Sequence, residues 1–435
     1  MEFCERRAFS WRGQPGGRDE TVGGCFPVSG SVMRENALNP PNKAARRRIA
    51  IVGAVLVAGV IIVAAIGFYL TRPGPGVSSH PGYHNPAVNY GIDVNIYDSN
   101  IGLANVPRVF QLIHEAGATY VRAGVGWASV EPSPGTYDWT YLDGLIHAGQ
   151  NSSINLLLEV SGTPNWDLPP GANTHGGLVN YPPVDCVLPP GDCRSFAEYV
   201  TNLTAHVAPM GVRDLILLNE PQNFPKNWVN GTAKEFITYF HAGYVAAHAV
   251  DPQIQILNGG TEIDPPALLA IKEKFVRNAS LAQAEYGFVT TLYASPLWCD
   301  SIDILDLHAN FDGPYWTPLM VNASYDSFEA CNGNRTVPVW VTEMGLSSYG
   351  AIQMGAEEEA ILGANYTSGN DSQAEFLIDT MSTLARNPHV LGMDWTFLVD
   401  PVFGGNYAQD GAGLGLLDAY YHPKPSYSAF GTVAT

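Results

Sequence analysis

From Asn89 onward, short apolar runs alternate with longer stretches in which apolar residues recur at helical spacing. The short runs predict strands at Tyr90–Asn95, Tyr120–Ala123, Ile154–Val160, Leu215–Asn219, Ile254–Asn258, Ile302–His308, Val339–Thr342 and Val390–Phe397. Helices are predicted at Val106–Ala116, Tyr141–Gln150, Ser195–Ala208, Ala233–Val250, from Ala267, and at Asp371–Arg386, with a short closing helix near the C-terminus. In Ala233–Val250, Phe236, Tyr239, Phe240, Tyr244 and Val245 share one apolar face. Alternation of this kind implies an α/β fold with a parallel sheet, and eight strands point to a closed (β/α)8 TIM barrel. Working residues then belong at the carboxyl ends of the strands.

The first 88 residues follow a different pattern. Residues 1–48 are rich in Gly, Pro and Arg, lack apolar periodicity, and read as a disordered basic cytoplasmic tail. Residues 49–70 form an uncharged apolar run long enough for a helix to cross about 30 Å of hydrocarbon. Lys43, Arg46, Arg47 and Arg48 precede it and Arg72 follows, so the charge asymmetry keeps the N-terminus cytoplasmic and the bulk of the chain outside. This predicts a single-pass transmembrane signal anchor in the cell membrane. The competing reading is a cleaved signal peptide, whose apolar core would be shorter and end in small residues rather than Phe68-Tyr69-Leu70. Residues 71–88 read as a Pro/Gly linker, and 89–435 as the barrel domain.

Composition adds three constraints. Hydrophobic residues make up 46% of the chain, enough for a large core. The net charge of -19 is concentrated after the basic tail, and such a surface repels nucleic acid. Eight Asn-x-Ser/Thr sites (Asn151, Asn202, Asn230, Asn278, Asn322, Asn334, Asn365, Asn370) all follow the apolar run, as expected of an exported glycoprotein. Outside a membrane, the pairs Cys186–Cys193 and Cys299–Cys331 can form disulfides. No Cys or His cluster has metal-site spacing, so neither a metal nor a cofactor is expected.

Two strands end on carboxylates. Leu215-Ile216-Leu217-Leu218 runs into Asn219-Glu220-Pro221, where the proline stops the strand. Val339-Trp340-Val341-Thr342 runs into Glu343-Met344-Gly345. Two such carboxylates, brought together, are what cleavage of a glycosidic bond requires. Either glutamate could instead belong to a structural ion pair.

The surrounding motifs carry a resemblance. Tyr120-Val121-Arg122, Trp127, Glu131-Pro132, Gly135-Thr136-Tyr137-Asp138-Trp139 with Asp143, Thr163-Pro164-Asn165-Trp166, Asn219-Glu220-Pro221 and Thr342-Glu343-Met344-Gly345 resemble retaining (β/α)8 glycoside hydrolases. The pattern is that of glycoside hydrolase family 39 and cellulase-like families, whose catalytic glutamates end strands four and seven, and it covers roughly 89–430. The resemblance implies Glu220 as acid/base, Glu343 as nucleophile, Asn219 on the sugar 2-OH, and Arg122, placed at the end of strand two, aiming Glu343. It implies that His308 faces the cleft. Trp395 is the first choice as a sugar-stacking platform, with Trp166, Trp127 and Trp316 secondary and Glu262 a further cleft residue.

Each assignment has a plainer counterpart: a structural pair for Arg122, a core position for His308, and core packing for each tryptophan. At the level of the whole chain, the leading expectation is a membrane-anchored extracellular glycosidase acting on an oligo- or polysaccharide. The alternatives are an inactive barrel that binds carbohydrate at the cell surface, and an unrelated (β/α)8 enzyme.

Overall fold

The computed structural model describes residues 82–94, 103–172, 180–223, 227–261, 279–310, 313–333, 335–348, 366, 369–400 and 413–435. These form eight parallel strands: β1 Asn89–Val94, β2 Tyr120–Gly126, β3 Asn155–Ser161, β4 Asp214–Leu217, β5 Gln255–Leu257, β6 Leu305–His308, β7 Val339–Met344 and β8 Val390–Thr396. The longer helices are α1 Val106–Glu115, α2 Thr140–Ser152, α3 Arg194–Val207, α4 Ala233–Val250, α5 Ala279–Tyr293, α6 Gly313–Cys331, α7 Asn370–Leu384 and α8 Pro425–Ala434. A reciprocal capping box starts α4: Thr232 Oγ1 accepts from Glu235 N–H while Glu235 accepts from Thr232 N–H.

The strand order is β5-β4-β3-β2-β1-β8-β7-β6, all parallel, which leaves β5 and β6 as the seam. Parallel bridges Leu257–Ile304 and Thr261–Leu307 close it. A side chain completes the closure. Asn258 Nδ2 donates to the Asp306 carbonyl (3.0 Å) and its Oδ1 accepts from Asp306 N–H (2.6 Å), so one amide stands in for a strand rung.

Because all eight strands are covered by helices, their outward residues pack into a continuous apolar shell, including Ile92, Leu158, Leu215, Val341 and Trp395. Inside, Leu157, Ile216, Leu257, Ile304 and Trp340 form a separate apolar plug. Buried polar residues share the strands with that plug: Asp93, Arg122, Glu159, Asp306, Thr342 and Asp394. A barrel interior that is apolar in one layer and charged in the next has its chemistry in the charged one.

Several elements differ from the sequence expectation, among them β6, which starts at Leu305 rather than Ile302, and β7, which runs on to Met344. β2 runs three residues past Ala123, because Gly124, Val125 and Gly126 stay in register with Glu159, Val160 and Ser161. β4 stops at Leu217, since Leu218 takes a left-handed backbone. Helix α6, which carries Pro318 and mixes polar with aromatic residues, was not anticipated between strands six and seven. The start of the helix expected from Ala267 falls outside the described residues, and α5 is seen from Ala279.

Both expected disulfides, Cys186–Cys193 and Cys299–Cys331, are present. Among the described residues no helix is long and apolar enough to cross a membrane, and the 49–70 run lies outside them.

Candidate active site

At the end of β4 the backbone leaves the strand conformation twice. Leu218 has φ 74° and Glu220 φ 41°, both left-handed, at a cost of about 1 to 3 kcal/mol each for side chains of this kind. The hydrogen bonds Leu218 N–H to Val160 O (3.0 Å) and Glu220 N–H to Gly259 O (2.7 Å) hold the distorted segment in the sheet. Its effect is to break the alternation of faces, so that Asn219 and Glu220, adjacent in sequence, both turn to the barrel mouth. Gly259 and Gly260 make room. A Cβ on Gly259 would sit 1.8 Å from the Leu218 carbonyl, and one on Gly260 would sit 2.0 Å from His308 Nε2.

Glu343 reaches the same mouth from β7. The β7–β8 register slips between Val341 and Met344, and the β6–β7 register slips at His308, which becomes the direct partner of Glu343. The irregularity turns Thr342 and Glu343 inward together. Arg122 Nη1 bonds Glu343 Oε1, and Asn310 Nδ2 donates to Glu343 Oε2 at 3.0 Å. Thr396 Oγ1 donates to Asn310 Oδ1 (2.9 Å), which sets the amide so that its nitrogen faces the carboxylate.

Arg122 is the hub. Its Nη1 also meets Asp93 Oδ2 (2.8 Å), and its Nη2 meets Glu159 Oε2 (2.7 Å) and Asn219 Oδ1 (2.7 Å). It lies in mid-strand, not at the end of β2, and the long side chain spans the difference. His308 Nδ1 lies 2.8 Å from Glu220 Oε1 and 3.6 Å from Glu343 Oε2, while Asn223 Nδ2 donates to Glu220 Oε2 at 3.1 Å.

Charge is crowded here. Burial alone would lower the Arg122 pKa, but the carboxylates of Asp93, Glu343 and Glu159 outweigh it and hold the guanidinium above its usual range. Asp93 is pushed up to about 7, mainly by burial and against the pull of Arg122. Burial likewise lifts Asp306 to about 6 and Asp394 well above the carboxylate range. For His308, burial opposes the charge, yet Glu343 and Glu220 raise it to about 10. Burial would raise Glu220, but the hydrogen bond and charge of His308 bring it down to about 2.

The structure thus gathers Glu220, Glu343, Asn219, Arg122 and His308 into one cluster. The tryptophans fall elsewhere. Trp395 points outward, because its neighbours Asp394 and Thr396 take the inward positions of β8. It is fully buried, with Phe376 at its edge and Nε1 donating to Leu414 O (2.8 Å). Trp127 is buried against Tyr199 (5.1 Å, stacked), with Nε1 donating to Glu131 Oε2. Neither ring offers an open face, so both expectations are corrected: each packs the shell. Trp166, on the short turn Asn165–Asp167 after β3, stays partly exposed, its Nε1 donating to Glu131 O (3.0 Å). Glu262 and the Trp316 side chain lie outside the described residues.

Asp93, Glu159, Asn223, Asn310 and Asp306 were not anticipated. For Asp93 and Glu159 a signal existed, since each interrupts a run that is otherwise apolar; Asn310 lies past its strand and carries none.

Glu220, His308 and Glu343 each place one potential ligand atom within 4.8 Å of the others. A cation would have to displace bonds already made there: the His308 nitrogen faces Glu220, and Arg122 sits against Glu343. The donor set suits proton transfer better than metal binding.

Comparisons with known proteins point to the same class of fold. A glycoside hydrolase family 42 model, described as β-galactosidase, matches residues 103–172. No curated protein matches the chain. A family 39 glycoside hydrolase from the gut symbiont Bacteroides cellulosilyticus WH2 is similar at TM-score 0.56 and 19% identity, over 80% of this chain and 63% of that one, less than two thirds of its length. A GH39 β-xylosidase from Caulobacter crescentus is similar at TM-score 0.53 and 16% identity, over 82% of this chain and 72% of that one. A GH5_18 protein from Bifidobacterium longum subsp. infantis is similar at TM-score 0.54 and 16% identity, over 80% and 78%. At such identities the likeness is one of fold: this chain is a (β/α)8 barrel similar to those of family 39 and GH5 glycoside hydrolases, the kind its motifs resemble.

Proposed function

We infer that the chain is a retaining glycoside hydrolase that cleaves β-O-glycosidic bonds of oligo- or polysaccharides by double displacement. The observation that carries this is the meeting of two carboxylates, from the ends of β4 and β7, with oxygens within 4.8 Å. A retaining mechanism places its carboxyl groups about 5–5.5 Å apart, whereas an inverting one leaves about 6.5–9.5 Å for a water.

Glu343 is the nucleophile. Arg122 and Asn310 hold its two oxygens, which keeps the group aimed. Glu220 protonates the departing oxygen and later takes a proton from the attacking water. Asn219 has its Oδ1 committed to Arg122, so its Nδ2 is oriented to donate to the sugar 2-OH. Among the described tryptophans of the set, Trp166 has surface left for a sugar.

The reading extends to location. Residues 49–70 anchor the chain with the barrel outside, and Asn151, Asn202, Asn230, Asn322 and Asn370 are exposed acceptor sites on it. A membrane-impermeant label on intact cells should reach the barrel; labelling only after lysis contradicts this part alone.

The chemical test is Glu343→Ala. Turnover of an aryl β-glycoside should vanish, and azide should restore it through a glycosyl azide of inverted anomeric configuration. Wild-type rates in that variant would sink the assignment. A wild-type protein that binds glycans but turns over none would favour the carbohydrate-binding alternative.

A further inference from the structure

The reading above needs a protonated Glu220, yet the site holds Glu220 as an anion against His308. We propose that His308 is the proton store for Glu220: the two residues share a proton between Nδ1 and Oε1, and it shifts to Glu220 as Glu343 attacks. This rests on the glycosidase reading and adds a relay to it.

The geometry is specific. Nδ1 is 2.8 Å from Glu220 Oε1, while Nε2 is buried, has no hydrogen-bond partner among the described residues, and faces Gly260. Among the described residues no carbonyl straps the Nε2–H side, and none fixes the ring as imidazolium from that edge. What favours the imidazolium is negative charge: Glu220 from β4 and Glu343 from β7. Arg122 from β2 and burial oppose it. Among the described residues, Asp306 on β6 and Asp93 on β1 complete the titratable surroundings, both tending to the neutral form by burial. Two states with the same proton count then compete. In one, the imidazolium faces an ionised Glu220; in the other, a neutral ring with Nε2–H faces a protonated Glu220.

Attack by Glu343 decides between them. As its oxygen bonds the anomeric carbon, its charge is lost, and with it a main support of the imidazolium. The proton moves from Nδ1 to Oε1 and on to the glycosidic oxygen, whose bond to the anomeric carbon breaks. Glu220 is left anionic opposite the lone pair of Nδ1, which strengthens it as a base. In the second step a water O–H bond breaks toward Oε1, the water oxygen bonds the anomeric carbon, and the Glu343 ester bond breaks. Restored charge on Glu343 draws the proton back to Nδ1, and the store is refilled.

Two measurements on the full-length chain test this. In His308→Gln, kcat/KM for a glycoside with a poor leaving group should fall by about 10²- to 10⁴-fold, the usual worth of general acid catalysis. For a dinitrophenyl glycoside, whose leaving group needs no proton, the fall should be at least about tenfold smaller, with the alkaline limb of the poor-leaving-group profile moved to lower pH. Equal losses on both substrates, or an unmoved limb, overturn the proposal and leave His308 a structural residue. Independently of that variant's folding, ¹⁵N NMR of the wild-type His308 ring should show Nε2 protonated at pH 8, since both competing states carry that proton; a bare Nε2 at pH 8 overturns it. Absence of wild-type turnover on every glycoside would instead count against the glycosidase reading itself.

Discussion

Arg122→Met separates the stabilising part of the site from its chemistry. The substitution preserves most of the side-chain volume but removes a guanidinium that bonds Asp93, Glu159, Asn219 and Glu343 while almost wholly buried. Breaking a buried ion pair from one side costs about 3 to 5 kcal/mol, because the partner charges are left without compensation. Some 350 residues unfolding with about 2.1 cal/mol/K each give an entropy near 0.7 kcal/mol/K, so the midpoint should drop by about 4 to 7 °C. Thermal melts followed by circular dichroism measure it. The gap between variant and wild type should narrow at pH 5, where Asp93, already at about 7 with Arg122 present, takes up a proton. A variant that melts within about 1 °C of wild type at pH 7.5, or a gap that widens on acidification, would refute the reasoning.

Stability should also depend on pH in the wild type. Asp93 at about 7, and Asp167, Asp214 and Asp306 at about 6, are all raised by burial from 3.8, so the folded state binds more protons than the unfolded one between about pH 4 and 7. Their contribution is complete at the acid end of that window and is lost as pH rises through it. His308, raised to about 10, acts in the same direction at higher pH. Glu220, lowered to about 2, works oppositely below about pH 4.5. The melting midpoint should therefore be higher at pH 5 than at pH 7.5, and a midpoint that rises over that interval contradicts the burial argument. Gly260→Ala should reduce kcat by displacing His308, since its Cβ would lie 2.0 Å from Nε2 at a φ of +62°; unaltered kinetics would mean the loop yields freely. Trp395→Phe should lower the melting midpoint while leaving KM close to wild type, because the indole faces the shell; a large KM effect with no stability loss would restore it as a sugar platform.

What could be read from sequence follows the physics of each residue. The apolar run Leu215–Leu218 ending in a proline marks β4, and its counterpart before Glu343 marks β7, because burial on both faces leaves a continuous signature. Face assignment is harder. The ring of Trp395 suits a sugar platform, but its flanking Asp394 and Thr396 occupy the inward positions, a parity that strand alternation already implies. At Asn219-Glu220 the same rule fails, as two left-handed residues put neighbours on one side. Arg122 illustrates a third limit: its strand continues to Gly126, and only the packing shows that a residue from mid-strand reaches four acceptors. Asn310 and Asn223 could not be found at all, since an amide beyond a strand has no pattern of its own. Helix α6 was missed because Pro318 breaks the run that periodicity relies on.

In the proposed mechanism Glu343 attacks the sugar. Incubating the protein with a 2-deoxy-2-fluoro β-glycosyl fluoride and mapping the labelled peptide by mass spectrometry tests it most directly, because the fluorine slows release of the glycosyl ester. Time-dependent inactivation is expected, with one sugar on the Glu343 peptide and none in Glu343→Ala. A label on any other residue, or turnover of the glycoside substrate with no covalent species formed, would contradict it.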